Sequence, residues 1–226
     1  MTEKKQHLAA IIFDMDGVLV DSEYTYLESK TAMLKDAGFT KDISYQYQFM
    51  GTTHEFMWQV MKDELGLPLT VAEYIAEMNK QRQLMIERDG VKAIKHAQAL
   101  VQRLAATGIP LAVASSSPKK EILAMLQALE IKDCFDVIVS GEEVSHSKPE
   151  PDIFLKAAAD LGVAARDCLV FEDTKNGSLA GKRAEMYVVG FANPDYPLQD
   201  LSCANQVINS FAEIDLPQLQ KWVAEV

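Results

Sequence analysis

Ile11-Ile12-Phe13-Asp14-Met15-Asp16-Gly17-Val18 is the stretch that decides the fold of this chain. The four apolar residues from Ala10 to Phe13 predict a buried strand, and two carboxylates follow where that strand should end. Because side chains alternate along an extended chain, Asp14 and Asp16 are expected to project to one side while Met15 points away. Two like charges this close are costly unless a cation lies between them or one carboxyl is protonated, so the pair indicates chemistry rather than packing.

A lone Asp-x-Asp pair has two interpretations, and only further functional residues elsewhere in the sequence can decide between them. The first is a strand followed by a solvated acidic turn, which is the commoner case. The second is a site that binds a cation or a phosphate. An EF-hand loop fits less well, because the glycine comes too early, no Glu stands at the last ligand position and a strand precedes the loop.

The composition indicates a globular protein that does not favour polyanionic partners. With 226 residues, of which 48% are hydrophobic, the chain can bury a sizeable core and should form one or two domains. Its net charge of −11 argues against unassisted binding to nucleic acid or to an anionic membrane, since both surfaces would repel it. Binding of a small anionic ligand is still possible if the site also holds a metal ion.

The N-terminus and the cysteines indicate a reducing compartment. Residues 1–8 are charged and lack the apolar segment of a signal peptide, and no later apolar run approaches the length of a membrane span. We therefore expect a cytoplasmic protein. The cysteines, Cys134, Cys168 and Cys203, are odd in number and widely spaced, which predicts reduced thiols rather than a disulfide framework or a zinc site.

A helical insert is predicted between the first strand and the rest of the chain. From residue 23 to residue 86 no stretch is typical of a strand, and apolar residues recur at helical spacing in three or four segments. Glycine-containing turns separate these segments. We therefore expect two domains: an α/β core formed by 1–21 and 92–226, and a small all-helical domain formed by 22–91.

From Ala93 onward the pattern alternates between helices and strands. The predicted helices are 98–107, 117–129, 151–161 and 178–184, and the predicted strands are 110–114, 137–139, 169–171, 187–191 and 206–208. In the second of these helices Ser117 is expected to be the N-cap and Pro118 the first helical residue. Repeated β-α units with apolar strands imply an α/β fold with a doubly wound parallel sheet, covered by helices on both faces. In such sheets a ligand binds at the carboxyl ends of the strands.

Each of the first four strands is followed by side chains suited to phosphate chemistry. The first ends in Asp14-x-Asp16, and the second in Ser115-Ser116-Ser117, where hydroxyls and free N–H groups can bind an oxyanion. Lys148 follows the third strand and is confined by Pro149, and Glu172-Asp173 follow the fourth with two more hard oxygen ligands suited to Mg²⁺. Each feature alone also fits a helix cap or a surface charge. Together they supply what phosphoryl transfer to a carboxylate requires.

This set of motifs resembles that of the haloacid dehalogenase superfamily of phosphotransferases over nearly the whole chain. Asp14-Met15-Asp16-Gly17-Val18 is similar to the first family motif, Ser115 to the second, Lys148 to the third and Glu172-Asp173 to the fourth. The helical insert resembles the helical cap of the β-phosphoglucomutase-like subgroup. The resemblance implies a Rossmann-like core that carries the chemistry and a cap that closes over it.

The chemistry and the resemblance together imply roles for the core residues. Asp14 would attack phosphorus and form an aspartyl-phosphate, while Asp16 would protonate the departing alkoxide and later deprotonate the attacking water. Ser115, with Ser116 beside it, would bind a phosphoryl oxygen. Lys148 would balance the negative charge of the nucleophile and of the phosphate.

A magnesium ion is the cofactor that this set implies. Asp14, the backbone carbonyl of Asp16 and Asp173 would hold Mg²⁺ directly, and Glu172 would act through a water molecule. The ion would offset the repulsion between an anionic nucleophile and an anionic phosphate.

The insert is expected to select the substrate. In the sugar-phosphate mutases of the subgroup, a cap histidine and a cap arginine hold the sugar and its second phosphate; Tyr26 stands in the place of the first and His54 in the place of the second. Candidate substrate contacts are Gly51, Thr52 and His54, together with Phe49, Met50, Thr53 and Trp58, although an aromatic residue or Met at helical spacing is more often part of a core. Without the arginine a second phosphate is poorly neutralised, which favours hydrolysis over a mutase reaction.

The sequence thus predicts a Mg²⁺-dependent phosphatase that acts on a small phosphomonoester, such as a sugar phosphate, through an aspartyl-phosphate. A sugar-phosphate mutase of the β-phosphoglucomutase type is the first alternative, and a phospho-receiver module or a binding protein the next. The expected partner is the small-molecule ester, with no nucleic acid and no membrane, and the acidic surface is compatible with a monomer.

Overall fold

The structure is a computed structural model that describes residues 7–50 and 52–225. The chain folds into two compact units. One comprises the residues up to Asp21 together with those from Lys92 onward, and we call it the core unit. The other runs from Ser22 to Val91 and is called the helical unit.

Within its described residues, the helical unit contains three α-helices and one 3₁₀ segment. They are α1 (Glu23–Asp36), the 3₁₀ segment Ile43–Phe49, α2 (His54–Leu65) and α3 (Val71–Asp89). Gly66 ends α2 in the left-handed conformation, with φ 65°. Thr70 begins α3 with a capping box: its hydroxyl accepts the N–H of Glu73, and the Glu73 carboxylate accepts the N–H of Thr70. The three or four helical segments expected from the sequence are confirmed.

Aromatic and methionine side chains form the core of the helical unit. Trp58 is fully buried and stacks on Tyr74 with 4.7 Å between ring centroids, and Phe49 is 5% exposed. Both pack with Met57, Met61 and Met78. Phe49 and Trp58 are therefore core residues, the more common case for aromatic residues at helical spacing, and substrate contact by them stays a prediction.

Six parallel strands form one sheet in the part of the core unit that the structure describes. They are β1 (Ala10–Phe13), β2 (Leu111–Ser115), β3 (Val137–Ser140), β4 (Cys168–Glu172), β5 (Tyr187–Phe191) and β6 (Gln206–Ile208). Their order is β3-β2-β1-β4-β5-β6, and every pair is parallel. The chain begins at the centre of the sheet, then fills one side before crossing to the other. The ends of β1, β2 and β4 are therefore neighbours.

Helices cover both faces of this sheet, as expected for a doubly wound fold. The helices of the core unit are α4 (Ala97–Ala105), α5 (Lys119–Ala128), α6 (Asp152–Leu161), α7 (Lys175–Arg183) and α8 (Leu216–Ala224). On one face α6 and α7 pack on Ile12 and Val170. On the other face Phe13 contacts Phe135, and Phe171 contacts Phe211. The strands β1, β2, β4 and β5 are buried along their whole length, which explains why their sequences are nearly continuous apolar runs.

The starts of α5 and α7 differ from the sequence prediction, and α8 has no counterpart in it. Helix α5 begins at Lys119 and has no side-chain cap, so the assignment of Ser117 as its N-cap is wrong. Helix α7 begins at Lys175, three residues earlier than predicted, because Thr174 caps it. Helix α8 was not predicted, although Asp215, which caps it, and a proline in its first turn are both start signals. No helix in the described ranges is both long and apolar enough to cross a membrane.

Candidate active site

Asp14 lies at the carboxyl end of the central strand, in a turn that only glycine permits. Its N–H donates to the carbonyl of Phe171 on β4 at 3.0 Å, and its side chain is 8% exposed. Gly17 has φ 77°, and its N–H donates to the carbonyl of Val20 at 2.8 Å. A Cβ atom on Gly17 would lie 2.0 Å from Oδ2 of Asp173. The glycine therefore lets the Asp173 carboxylate approach the turn that follows Asp14.

Lys148 joins the ends of β1 and β4 through two buried ion pairs. Its Nζ donates to Oδ1 of Asp14 at 2.5 Å and to Oε1 of Glu172 at 2.9 Å. The Lys148 side chain is 9% exposed and that of Glu172 is 2% exposed. The expected meeting of the residues that follow the first, third and fourth strands is therefore present in the structure.

Burial and charge oppose one another in this group. The pKa of Asp14 is raised to about 7: burial is the largest cause, the ammonium of Lys148 acts in the opposite direction, and the carboxylates of Glu172 and Asp16 add to the rise. Burial lowers the pKa of Lys148, but the carboxylates of Asp14 and Glu172 outweigh this effect, so the pKa lies above its usual value. The lysine stays a cation, and a further cation would relieve the repulsion among the acids.

Glu172 is fixed by the start of α7. Its Oε2 accepts the N–H of Thr174 at 2.7 Å and the hydroxyl of Thr174 at 2.9 Å. The Thr174 hydroxyl in turn accepts the N–H of Gly177 at 3.1 Å. A Cβ atom on Gly177 would lie 1.6 Å from Oε1 of Glu172. The first turn of α7 is thus shaped to leave room for this carboxylate.

Asp16 turns toward the end of β2. Its Oδ2 accepts the hydroxyl of Ser117 at 2.8 Å and that of Ser115 at 3.4 Å. Ser115 is fully buried, and its Oγ also accepts the N–H of Ser117 at 3.1 Å. Ser116 is exposed, and a Cβ atom on Gly141 would lie 2.9 Å from its carbonyl oxygen. Asp16 is therefore held by hydroxyl groups, and Asp14 by an ammonium group.

Three carboxylates form a group that could hold a metal ion. Asp14, Glu172 and Asp173 each offer one oxygen, and these oxygens lie within 4.8 Å of one another. The carboxylate of Asp16 is not in this group, whereas the sequence analysis assigned its backbone carbonyl as the ligand. Carboxylate oxygens are the ligands that Mg²⁺ prefers, and the space left by Gly17 brings Asp173 to the group. The residues present fit a magnesium ion.

The candidate residues of the helical unit have partners of their own. Thr52 is exposed, and its hydroxyl donates to the carbonyl of Phe49 at 2.7 Å. His54 is half-buried at the start of α2, with its ring 5.1 Å from that of Tyr26; burial lowers its pKa, and nearby cations lower it further. Gly51 lies outside the described residues. Substrate contact by these three residues stays a prediction.

Sequence reasoning missed four residues that shape the charged groups. Ser117 was assigned to a helix cap, yet its hydroxyl donates to Asp16. Thr174 was not assigned a role, although it is a good N-cap residue directly after an acidic pair. Lys30 and Arg82 in the helical unit are 4% and 6% exposed. Their signal was a charged residue on the apolar face of a predicted helix, which is unusual for a solvated charge.

The side chains at the strand ends of the core unit are typical of one class of enzyme. Acidic side chains at the ends of two neighbouring parallel strands, a buried lysine between them and a hydroxyl at the end of a third strand form a site for phosphate chemistry. The chain belongs to the haloacid dehalogenase-like hydrolase family, whose sequence profile matches residues 11–191. The resemblance to this family inferred from the motifs is confirmed.

Known proteins are similar to this chain over most of its length. A putative β-phosphoglucomutase of known structure from Thermotoga maritima has a TM-score of 0.75 and 26% identity, over 89% of this chain and 94% of that one. A probable pseudouridine-5'-phosphatase of Drosophila melanogaster is 33% identical over 208 residues, which cover 89% of each protein. A bifunctional riboflavin kinase/FMN phosphatase of Arabidopsis thaliana is 32% identical over 97% of this chain, but the chain spans 59% of that relative's length. These similarities support the β-phosphoglucomutase-like subgroup.

Proposed function

We propose that this protein is a Mg²⁺-dependent phosphatase that hydrolyses a small phosphomonoester, with sugar phosphates as the expected class, through an aspartyl-phosphate on Asp14. The observation that carries the proposal is the position of Asp14. It is buried at the end of the central strand, ion-paired with Lys148 at 2.5 Å, and grouped with the carboxylates of Glu172 and Asp173. The phosphatase names of the Drosophila and Arabidopsis relatives support the same reaction class.

In the first step a carboxylate oxygen of Asp14 forms a bond to phosphorus and the ester P–O bond breaks. The leaving alkoxide takes a proton from Asp16, whose carboxyl is oriented by Ser117 at 2.8 Å. Lys148 stays bound to the nucleophile and balances the charge of the phosphoryl group. Ser115, with Ser116, donates to a phosphoryl oxygen.

In the second step water attacks the phosphorus of the aspartyl-phosphate. Asp16, now a carboxylate, takes the proton of this water, and the bond between phosphorus and Asp14 breaks to release phosphate. One group therefore acts as acid and then as base. Its position at the end of β1, two residues after the nucleophile, suits both steps.

Residues at the ends of β1 and β4 would hold the metal. Asp14, Asp173 and the carbonyl of Asp16 would bind Mg²⁺ directly, with Glu172 acting through water. When bound, the ion supplies positive charge that offsets the repulsion between carboxylate and phosphate and stabilises the transition state. Glu172 is held in place by Thr174 and by the space over Gly177.

The helical unit is proposed as the cap that selects the substrate. A sugar-phosphate mutase is the second candidate function, and the similarity to a putative β-phosphoglucomutase of known structure favours it. Both functions share the first step. They differ in whether water or a second substrate oxygen accepts the phosphoryl group.

A panel of sugar and polyol phosphates tests the proposal. We expect phosphate release that requires Mg²⁺, stops with EDTA and falls by about 10⁴-fold or more in Asp14→Asn, because the nucleophile is lost. Asp133→Asn, which changes an acid of the same unit outside the site, is the matched control and should keep full activity. Isomerisation of glucose 1-phosphate with almost no release would establish the mutase. Release by Asp14→Asn at the wild-type rate would refute the aspartyl-phosphate.

A further inference from the structure

Helix α5 begins directly after residues 115–117, the segment that binds Asp16 and is proposed to bind phosphate. Pro118 stands at the cap position of this helix and has no side-chain acceptor to offer the first N–H groups. Ser117 is the other candidate cap, but its hydroxyl donates to Oδ2 of Asp16 at 2.8 Å. The local sequence therefore leaves the start of α5 without its usual support.

The turn after β3 supplies this support. Ser140 is fully buried and lies opposite Ser115 in the register of β2 and β3. Its hydroxyl donates to the carbonyl of Ser117 at 2.7 Å and accepts the N–H of Glu142 at 3.1 Å. Oε2 of Glu142 accepts the N–H of Lys119, the first residue of α5, at 2.9 Å. Two side chains of one turn thus bind the backbone at two successive points of the segment that leads into α5.

The turn after β3 is itself fixed to the sheet and to α5. The carboxylate of Glu143 accepts the N–H of Ser140 at 2.9 Å and the ammonium of Lys119 at 2.9 Å. Lys119 also donates to the carbonyl of Ile138 on β3. The ammonium of Lys119 and the N–H of Ser140 hold the pKa of Glu143 below its usual range. The turn and the start of α5 are therefore joined at several points and are expected to move together.

We propose that Ser140 and Glu142 are positioning residues for Asp16, on which they act through Ser117. Both side chains bind the backbone around Ser117, and the hydroxyl of Ser117 in turn orients the carboxyl of Asp16. Because a small displacement of a catalytic acid slows its proton transfer, loss of either side chain should weaken the action of Asp16. This inference rests on the proposed function, in which Asp16 protonates the leaving alkoxide.

Two phosphate esters with different leaving groups separate this role from a general structural one. An alkyl ester, such as the best sugar or polyol phosphate of the panel, needs a proton from Asp16 when its P–O bond breaks. In contrast, p-nitrophenyl phosphate releases an acidic phenol whose anion leaves without a proton. Because kcat/KM reports the steps up to departure of the leaving group, it isolates this proton transfer. A defect in phosphate binding, in the nucleophile or in folding lowers kcat/KM equally for both esters.

Glu142→Ala removes the acceptor for the first N–H of α5, at an exposed position that the fold should tolerate. We expect kcat/KM for the alkyl ester to fall by about fivefold, while kcat/KM for p-nitrophenyl phosphate changes by less than about twofold. Glu142→Gln keeps an oxygen acceptor and should restore most of the activity on the alkyl ester. Glu213→Ala, which removes an exposed acid elsewhere in the core unit, is the control and should match the wild type.

Ser140→Ala removes the hydrogen bond to the carbonyl of Ser117 and should show the same difference between the two esters. Since the proposed effect passes through Ser117, adding Glu142→Ala to Ser117→Ala should lower kcat/KM for the alkyl ester by less than about twofold further. Multiplication of the two single losses would show that Glu142 acts independently of Ser117 and would overturn the proposal. If Ser140→Ala does not fold, the variants at Glu142 decide the question.

An equal fall in kcat/KM for both esters in Glu142→Ala would also overturn the positioning role, because the turn after β3 would then serve the fold or phosphate binding. Unchanged kinetics in Glu142→Ala would do the same. The proposed function fails in a different way: the wild type would release phosphate from neither ester, or Asp14→Asn would keep wild-type activity. Turnover that is lost in Asp14→Asn, without a difference between the esters in Glu142→Ala, would refute the positioning role alone.

Discussion

The two units of this protein treat buried charge in opposite ways. In the core unit, the ammonium of Lys148 lies between two carboxylates, and each buried charge has a partner in the fold. In the helical unit, Lys30 and Arg82 are as deeply buried, and no carboxylate is paired with either in the part of the chain that the structure describes. A site whose charges compensate one another is stable when empty. Loss of Lys148 would leave two acids without their cation, whereas loss of Lys30 would leave no acid without an ion-pair partner among the described residues.

The largest expected effect comes from breaking the compensated group. Lys148→Met leaves the carboxylates of Asp14 and Glu172 buried without their cation, so the free energy of unfolding in EDTA should fall by about 3–5 kcal/mol. Urea unfolding measures this, with Lys156→Met as the control. Lys156 pairs with Asp160 on the exposed side of α6, and its loss should cost less than about 1 kcal/mol.

Urea unfolding also tests the difference between the two units directly. Lys148→Met and Lys30→Met each remove one buried ammonium group, yet the first should destabilise the protein and the second should not. Equal losses of stability in the two variants would show that both lysines serve the fold, and the distinction between the units would be wrong.

Glycine at position 177 gives the next largest effect. Gly177→Ala places a methyl group 1.6 Å from the present position of Oε1 of Glu172, so the carboxylate must move. Crowding of this kind costs about 1–3 kcal/mol, and displacement of a group around a metal lowers metal affinity by about 10–100-fold. The Mg²⁺ dependence of phosphate release and urea unfolding together measure both effects.

Gly162→Ala is the matched control for that substitution. Gly162 ends α6 with φ 73°, and nothing lies within 4 Å of an added Cβ. Its replacement should cost about 1 kcal/mol through backbone strain and leave the Mg²⁺ dependence unchanged. A normal Mg²⁺ dependence in Gly177→Ala would mean that Glu172 does not act on the metal.

The same contrast explains how much the sequence could predict. The core site was predictable because a parallel sheet places the ends of its strands along one edge, so Asp14, Lys148 and Glu172 could be brought together from their order alone. The partner of Ser117 could not be predicted, since a serine before a proline is equally well a helix cap, and only the sheet register sets its hydroxyl beside Asp16.

The cationic pair of the helical unit could not be predicted for a different reason. Helical periodicity shows which residues share a face of one helix, but not which faces of two helices meet. Lys30 and Arg82 are 52 positions apart on α1 and α3, and no local pattern connects them. Tertiary packing alone gives them a common neighbourhood.

The hydroxyl of Ser117 should have a smaller effect, confined to catalysis. Ser117→Ala removes the 2.8 Å hydrogen bond that orients Asp16, so kcat should fall by about tenfold while KM changes little, because Asp16 acts on the leaving group and on water. Steady-state kinetics and the pH profile of kcat measure this. Ser117→Thr keeps a hydroxyl and should restore most of the rate. A loss confined to KM would show that Ser117 binds substrate instead of orienting Asp16.

The smallest expected effect lies at the start of α3, the helix that carries Arg82. Thr70→Ala removes the hydroxyl half of a capping box and should lower the free energy of unfolding by about 1 kcal/mol. Thr53→Ala, which removes the single cap bond of α2, is the comparison and should cost no more. Because a cap acts on the first turn of its own helix, hydrogen exchange in Thr70→Ala should increase in α3 and stay unchanged in the strands of the core unit.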